Sequence, residues 1–195
     1  MTGDSVIKKI RHYAGTKKRH LKRYLAPNAK TYYRSYVAND SISPLNNELV
    51  RELLSYNPKS AFEFGCGVGK NLELLRPHVE EHLGVDISEK AIEIAKAKNL
   101  KVICGDETSL KTIGSYDVVF TCSVLDHIKD IDSIVHELKR IAKVAIVIAE
   151  TNTELLRFYY SHDYESFGFV KTGYEYVSVL PREGEAPYHI WHLEK

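Results

Sequence analysis

Cysteine is scarce: the 195 residues hold only Cys66, Cys104 and Cys122. An odd number at wide spacing excludes a disulfide framework. No Cys-x-x-Cys pair is present, which excludes a zinc ribbon or a thioredoxin-type motif. Free thiols fit a reducing compartment. Long apolar runs are also missing. The longest, Val144 to Ala149, is six residues, against roughly 20 needed to cross a bilayer. The chain opens Met-Thr-Gly-Asp with no apolar signal core, so a cytoplasmic setting without a membrane partner is expected. No internal repeat and no low-complexity tract interrupts it.

What is present suits one soluble domain: 195 residues with 44% apolar and 27% charged side chains. The net charge is only +1, but it is unevenly spread. Lys8, Lys9, Arg11, Lys17, Lys18, Arg19, Lys22, Arg23, Lys30 and Arg34 are preceded by one acid, Asp4. The remainder is therefore net acidic. Such asymmetry points either to an anionic partner near the N-terminus or to a solvated helix face.

Hydrophobic spacing divides the chain in two. Residues 1–58 read as a basic, helical segment. Ile7, Ile10, Tyr13, Leu21, Tyr24 and Leu25 have loose helical spacing; Tyr32, Tyr33 and Tyr36 follow the break at Pro27. A helix from Asn46 to Tyr56 places Leu49, Val50, Leu53 and Leu54 on one side. Residues 59–195 alternate strand and helix. Strands are predicted at 61–64, 82–86, 101–104, 116–121 and 144–149. Helices are predicted at 70–79 (interrupted by Pro77), 88–98 and 130–142. This pattern implies a parallel sheet covered on both faces. The tail differs: Phe167 to Val179 and Tyr188 to Leu193, joined by residues 181–186, read as an antiparallel hairpin.

Glu63-Phe-Gly-Cys-Gly-Val-Gly69 follows a strand and opens a helix. Glycines let the backbone turn sharply and let a ligand approach it closely. The helix start favours an anionic group. A dinucleotide fingerprint, Gly-x-Gly-x-x-Gly, would need glycine where Lys70 stands, and a triphosphate loop would need Gly-Lys-Ser or Gly-Lys-Thr where Gly69-Lys-Asn71 stands. Both are disfavoured. The second strand ends in Asp86, where an acid can accept from ribose hydroxyls. The third leads to Cys104-Gly-Asp-Glu107, whose Asp106 suits an adenine amino group or a cap. The three cysteines fall near strand C-termini. They read as small apolar filler beside a ligand, and no metal site is expected.

With these residues in order, the chain resembles the class I S-adenosylmethionine-dependent methyltransferases of small-molecule type. The matching stretches are Glu63-Phe-Gly-Cys-Gly-Val-Gly-Lys-Asn71, Gly84-Val-Asp-Ile-Ser88, Cys104-Gly-Asp106 and Tyr116-Asp-Val-Val-Phe-Thr-Cys-Ser-Val-Leu-Asp-His127. The resemblance covers about Ser60 to Lys195. It implies a Rossmann-like seven-stranded α/β sheet, mostly parallel with an antiparallel last strand, and S-adenosylmethionine as cofactor, leaving as S-adenosylhomocysteine. It implies that Gly65, Cys66 and Gly67 pass beneath the methionyl part and that Glu63 supports the loop or the ammonium. Asp86 would hold the ribose, Ile87 the adenine face, and Asp106 and Glu107 the adenine edge. Backbone at Thr121 and Cys122 would line the methionyl end.

Asp126 and His127 are candidate bases for an acceptor that must lose a proton; His127 reads equally as a helix-start histidine packed beside the cofactor. His162-Asp163-Tyr164 is a second polar cluster, readable as site or as cap and core. Tyr33, Arg34 and Tyr36 are candidate lid residues over the acceptor. The run after the fourth strand is Thr121-Cys-Ser-Val, not the Asn/Asp-Pro-Pro-aromatic motif of enzymes that methylate exocyclic base nitrogens. A small, anionic acceptor methylated on O or N is therefore expected. RNA methylation using the basic segment and a non-catalytic S-adenosylmethionine-binding module are the alternatives. The oligomeric state is not legible.

Overall fold

The computed structural model describes residues 42–151, 159–180 and 184–195. Residues 41–195 form one compact unit. Its first element is α1 (Pro44–Ser55), opened by a reciprocal cap between Ser43 and Asn46 with proline in the first turn. Then follow β1 (Ser60–Phe64), α2 (Lys70–Leu75), β2 (Glu81–Asp86), α3 (Glu89–Ala97), β3 (Val102–Cys104), β4 (Tyr116–Cys122), α4 (Asp132–Ile141), β5 (Ala142–Thr151), β6 (Val170–Leu180) and β7 (Gly184–Glu194).

The strands form one sheet in the order β3-β2-β1-β4-β5-β7-β6. β1 to β5 pair in parallel. β7 runs antiparallel to both β5 and β6. The expected α/β sheet with an antiparallel last strand is present. The strand order reverses between β1 and β4. Open sheets of this kind bind ligands outside the C-terminal strand ends at such a point.

Strand alternation builds two cores. Ala61, Val118, Phe120, Ala145, Val147 and Ala149 face Leu45, Leu49, Leu53, Leu72, Ile92 and Ala95 from α1, α2 and α3. Phe62, Val119, Ile146 and Ile148 face Ile134, Val135, Leu138 and Ile141 of α4, with Tyr164 and Trp191 in the same cluster. α1, grouped by its sequence with the N-terminal segment, thus completes the core of the sheet domain. Gly84 lets this layer approach closely: a Cβ there would sit 2.6 Å from Leu72 Cδ1.

Several boundaries shift from the sequence reading, each for a local reason. Pro77 ends α2 at Leu75, and Arg76–His78 continues as a 3₁₀ turn. β5 is ten residues long because its ladder with β7 carries it through Glu150 and Thr151. β7 starts at Gly184, not Tyr188. Pro187 lies one residue beyond the last β5 partner, Tyr188, where the ladder is one-sided and a missing N–H costs least. Among the described residues no helix is long and apolar enough to cross a membrane.

Candidate cofactor and active site

The glycine loop leaves β1 on left-handed backbone: φ is +76° at Gly65, +51° at Gly67 and +79° at Gly69. At Gly65 a Cβ would lie 2.2 Å from Val124 Cγ2. Glycine is required there by conformation and by space. The loop is held from within. The N–H groups of Gly65 and Cys66 donate to Val85 O, and that of Gly69 to Cys66 O. Gly67 N–H donates to Asp86 Oδ2 at 2.8 Å. With those donors engaged and α2 only six residues long, the loop is a surface for close backbone approach. It is not the cradle of free N–H groups that a phosphate requires.

Asp86 closes β2 and clamps two segments. Its Oδ2 accepts from Gly67, and its Oδ1 from Ser88 N–H at 2.8 Å. Burial pushes its carboxyl up, opposed by those two N–H groups. Each oxygen retains a lone pair for a further donor. Beside it Ile87 is 48% exposed, an apolar side chain left half open at a strand end. Asp106 caps the 3₁₀ turn Glu107–Thr112: its Oδ1 accepts from Thr108 N–H at 3.0 Å and from the Thr108 hydroxyl at 2.6 Å. Glu107 is exposed on that turn.

Glu63 is buried beneath the loop. Asn71 Nδ2 donates to its Oε1 at 2.7 Å. Among the described residues its buried Oε2 has no hydrogen-bond partner. Burial pushes this carboxyl well up; the Asn71 donor opposes that and the nearby Asp86 charge adds to it. A buried carboxyl oxygen left without a donor at a strand end fits a ligand that brings a donor or a positive charge.

The turn after β4 forms the opposite wall. Ser123 has φ +57°, and the turn hangs on one buried acid, Glu150. Glu150 accepts from the Thr121 hydroxyl at 2.8 Å, from Val124 N–H at 2.9 and 3.1 Å, and from Asp126 N–H at 3.4 Å. Asp126 is fully buried, and among the described residues neither of its carboxyl oxygens has a hydrogen-bond partner. Burial pushes Asp126 up to about 7, and burial together with Asp126 pushes Glu150 well up. Two carboxyls this close hold at least one proton between them. His127 lies in front of them, 26% exposed, its Nε2 3.6 Å from Asp126 Oδ1. Its ring packs on Tyr159 at 4.7 Å between centroids.

The walls therefore meet at the β1/β4 switch point: loop and Glu63 on one side, Cys122 to His127 on the other, Val124 against Gly65. Residues 62–145, from β1 into β5, match the family of methyltransferase domains. Together with the fold, this match supports a class I S-adenosylmethionine-dependent methyltransferase. A ubiquinone biosynthesis O-methyltransferase of Bordetella avium (strain 197N) is 27% identical over 154 residues, covering 73% of this chain and 60% of that protein. The chain thus spans about three fifths of that relative's length. A magnesium protoporphyrin IX methyltransferase from Synechocystis PCC 6803, solved with bound S-adenosylhomocysteine, has a TM-score of 0.70 at 16% identity, covering 92% of this chain and 99% of that one. The plantazolicin methyltransferase BamL has a TM-score of 0.68 at 14% identity, covering 96% and 98%. The structural likenesses establish the methyltransferase fold.

Within that fold, the predicted residues separate. Glu63, Gly65, Cys66, Gly67, Asp86 and Ile87 lie along the C-terminal edges of β1 and β2, and Cys122 closes β4. Asp106 and Glu107 lie on the turn after β3, Asp106 in a capping role. Asp126 is fully buried, with His127 in front of it. The cysteines differ in setting: Cys66 is buried, Cys122 half-buried and Cys104 exposed. Burial and the nearby carboxylates of Glu63 and Asp86 push the Cys66 thiol up. His162 Nε2 lies 3.0 Å from the carbonyls of both Leu125 and Ile128. Asp163 accepts from Ser166 N–H, and Tyr164 is core. Through His162 that cluster braces the turn after β4. Tyr33, Arg34 and Tyr36 lie outside the described residues.

Asn71 and Glu150 were missed. Asn71 sits in the helix turn after the glycines, where polar residues read as surface. Glu150 follows six apolar strand residues and reads as the start of a loop. The available signal was position: an acid ending a central parallel strand stands at the ligand edge, as Asp86 does.

Proposed function

We propose that this chain transfers the methyl group of S-adenosylmethionine to an oxygen or nitrogen of a small metabolite, with anionic acceptors the first class to test. Glu63 carries the reading: a buried carboxyl oxygen without a donor at the end of β1, beside a loop that only glycine can form. The cofactor's ammonium supplies the missing donor. Asp86 takes the ribose hydroxyls on its open lone pairs, and exposed Ile87 takes an adenine face. Asp106 and Glu107 border the adenine edge.

When bound, the cofactor supplies an electrophilic methyl on a sulfonium. The protein's share is alignment and water exclusion. Val124 and the backbone of Thr121 and Cys122 line one side. His127, half-buried with Asp126 3.6 Å behind its Nε2, accepts the proton of a hydroxyl acceptor at Nδ1, and the buried carboxyl stabilises the imidazolium that forms. A cytoplasmic setting, with free cysteines, is part of the same reading.

Calorimetric titration with S-adenosylmethionine and S-adenosylhomocysteine, with NAD as control, tests this. Both adenosyl ligands should bind and NAD should not. Asp86→Ala should lose about 1–3 kcal/mol of binding. Asp86→Asn, which keeps one acceptor, should lose less. Binding of NAD alone overturns the proposal.

RNA methylation is the second reading, favoured by the ten basic residues between Lys8 and Arg34. It requires RNA binding that falls steeply with salt.

A further inference from the structure

Asn46 lies in the first turn of α1, away from every stretch that carries the family resemblance. Its amide is oriented from one side. Oδ1 accepts from Ser43 N–H at 2.9 Å and from the Ser43 hydroxyl at 2.7 Å. Its Nδ2 is thereby turned the other way and donates to Asn71 Oδ1 at 2.7 Å. That bond in turn orients Asn71, whose Nδ2 donates to Glu63 Oε1 at 2.7 Å. Three side chains are thus aligned in a single direction, from the cap of α1 to a carboxyl whose other oxygen, Oε2, is buried and unpartnered.

The direction matters. An amide has one accepting and one donating end. If Asn71 turned over, its oxygen would face Glu63. The carboxyl would then have to rotate or take up a proton, and its demand for a positive partner would go. The bond from Asn46 Nδ2 opposes that turn, because it needs an acceptor at Asn71 Oδ1. Hydrogen bonds aligned in series also polarise one another, most where they are buried, as the Asn71–Glu63 bond is.

We propose that Asn46, acting through Asn71, is a positioning residue that holds Glu63 Oε2 toward the amino group of the cofactor. Helix α1, as well as the glycine loop, then selects the amino-acid half of the ligand. This rests on the cofactor reading above.

The test compares two ligands on the full chain. S-adenosylhomocysteine carries the α-ammonium; 5′-methylthioadenosine shares the adenosine and the thioether but lacks the amino-acid part. Asn46→Asp keeps the acceptor that caps α1 and replaces the donor facing Asn71 with an acceptor. By calorimetry it should weaken S-adenosylhomocysteine by about tenfold, as loss of a charge-linked hydrogen bond does, and leave 5′-methylthioadenosine within about twofold. Asn46→Ala, which also loses the cap, should show the same selectivity with a lower melting temperature.

Equal weakening of both ligands means that α1 merely supports the fold, and overturns the proposal. So does unchanged binding of both. A wild-type chain that binds neither ligand overturns the cofactor reading itself, and this proposal with it. A wild-type chain that binds both with equal affinity leaves the cofactor reading standing and removes Glu63, hence Asn46, from recognition.

Discussion

Gly65 shows how much one residue settles. Its φ of +76° is strained for any L side chain, and a Cβ would overlap Val124 at 2.2 Å. Val124 cannot simply withdraw, because Glu150 holds its N–H. Gly65→Ala should therefore destabilise the fold by about 1–3 kcal/mol, combining left-handed strain with overpacking. It should also abolish binding of S-adenosylhomocysteine. A denaturant midpoint and a titration on the same sample check both; unchanged binding in a stable variant would show that the loop does not form the cofactor floor. Asp126 gives a prediction of a different kind. Its carboxyl is raised from 3.8 to about 7, chiefly by burial. Below about pH 4 both folded and unfolded chains hold this proton. Between about pH 4 and 7 the folded chain keeps it while the unfolded chain releases it, so stability falls as pH rises through that window. Above pH 7 the loss is complete. Asp126→Asn should flatten the stability profile between pH 4 and 7 relative to wild type, read from midpoints at each pH. Parallel profiles would count against a shared proton at this site.

At the scale of the element, the turn Ser123–His127 is the part of the site least able to hold itself. Its 3₁₀ portion is three residues long, and Ser123 is left-handed. Glu150 below and His162 beside it provide the hold. Glu150→Ala would leave the N–H groups of Val124 and Asp126 and the Thr121 hydroxyl without their acceptor. A loss of about 3 kcal/mol or more is expected, with Glu150→Gln intermediate because it retains one acceptor oxygen. Denaturant midpoints rank the three proteins. This dependence explains what was and was not legible in the sequence. Asp86, Gly65 and Gly67 act through local spacing, loop to strand end, and their places could be read. The parallel-sheet class followed from helices alternating with apolar runs such as Val118–Phe120 and Val144–Ala149, and the seven-stranded count came with the family resemblance. Glu150 and Asn71 act across the fold, on partners 26 and 8 residues away. No periodicity marks them. The bounds of β5 and β7 were missed for the same reason: pairing between distant strands carried both past the apolar residues that suggested their ends.

At the scale of the whole molecule, charge separates the two acceptor classes. Ten basic residues against Asp4 in the first 34, in a chain of net charge +1, leave the rest net acidic. The described site follows that balance: Glu63, Asp86, Asp106, Glu107, Asp126 and Glu150 lie in or behind it, and the positive ligand group expected there is an ammonium. Of these acids Asp106 and Glu107 lie at the surface, and they repel a polyanion, so RNA would have to be held by the basic segment alone. Affinity would then fall by orders of magnitude between about 50 and 200 mM salt. A small acceptor with one or two negative charges would lose far less, since it displaces few counterions. Replacing Lys17, Lys18 and Arg19 together by glutamine should lower turnover of anionic acceptors and leave neutral ones and S-adenosylhomocysteine binding unchanged. The discriminating experiment is therefore an acceptor screen run at both salt concentrations with wild type and this triple variant. A salt-tolerant activity that loses only anionic acceptors supports the small-molecule reading with a basic lid. An activity that needs RNA and collapses with salt replaces it. An acceptor profile that the triple variant leaves unaltered removes the basic segment from acceptor choice altogether.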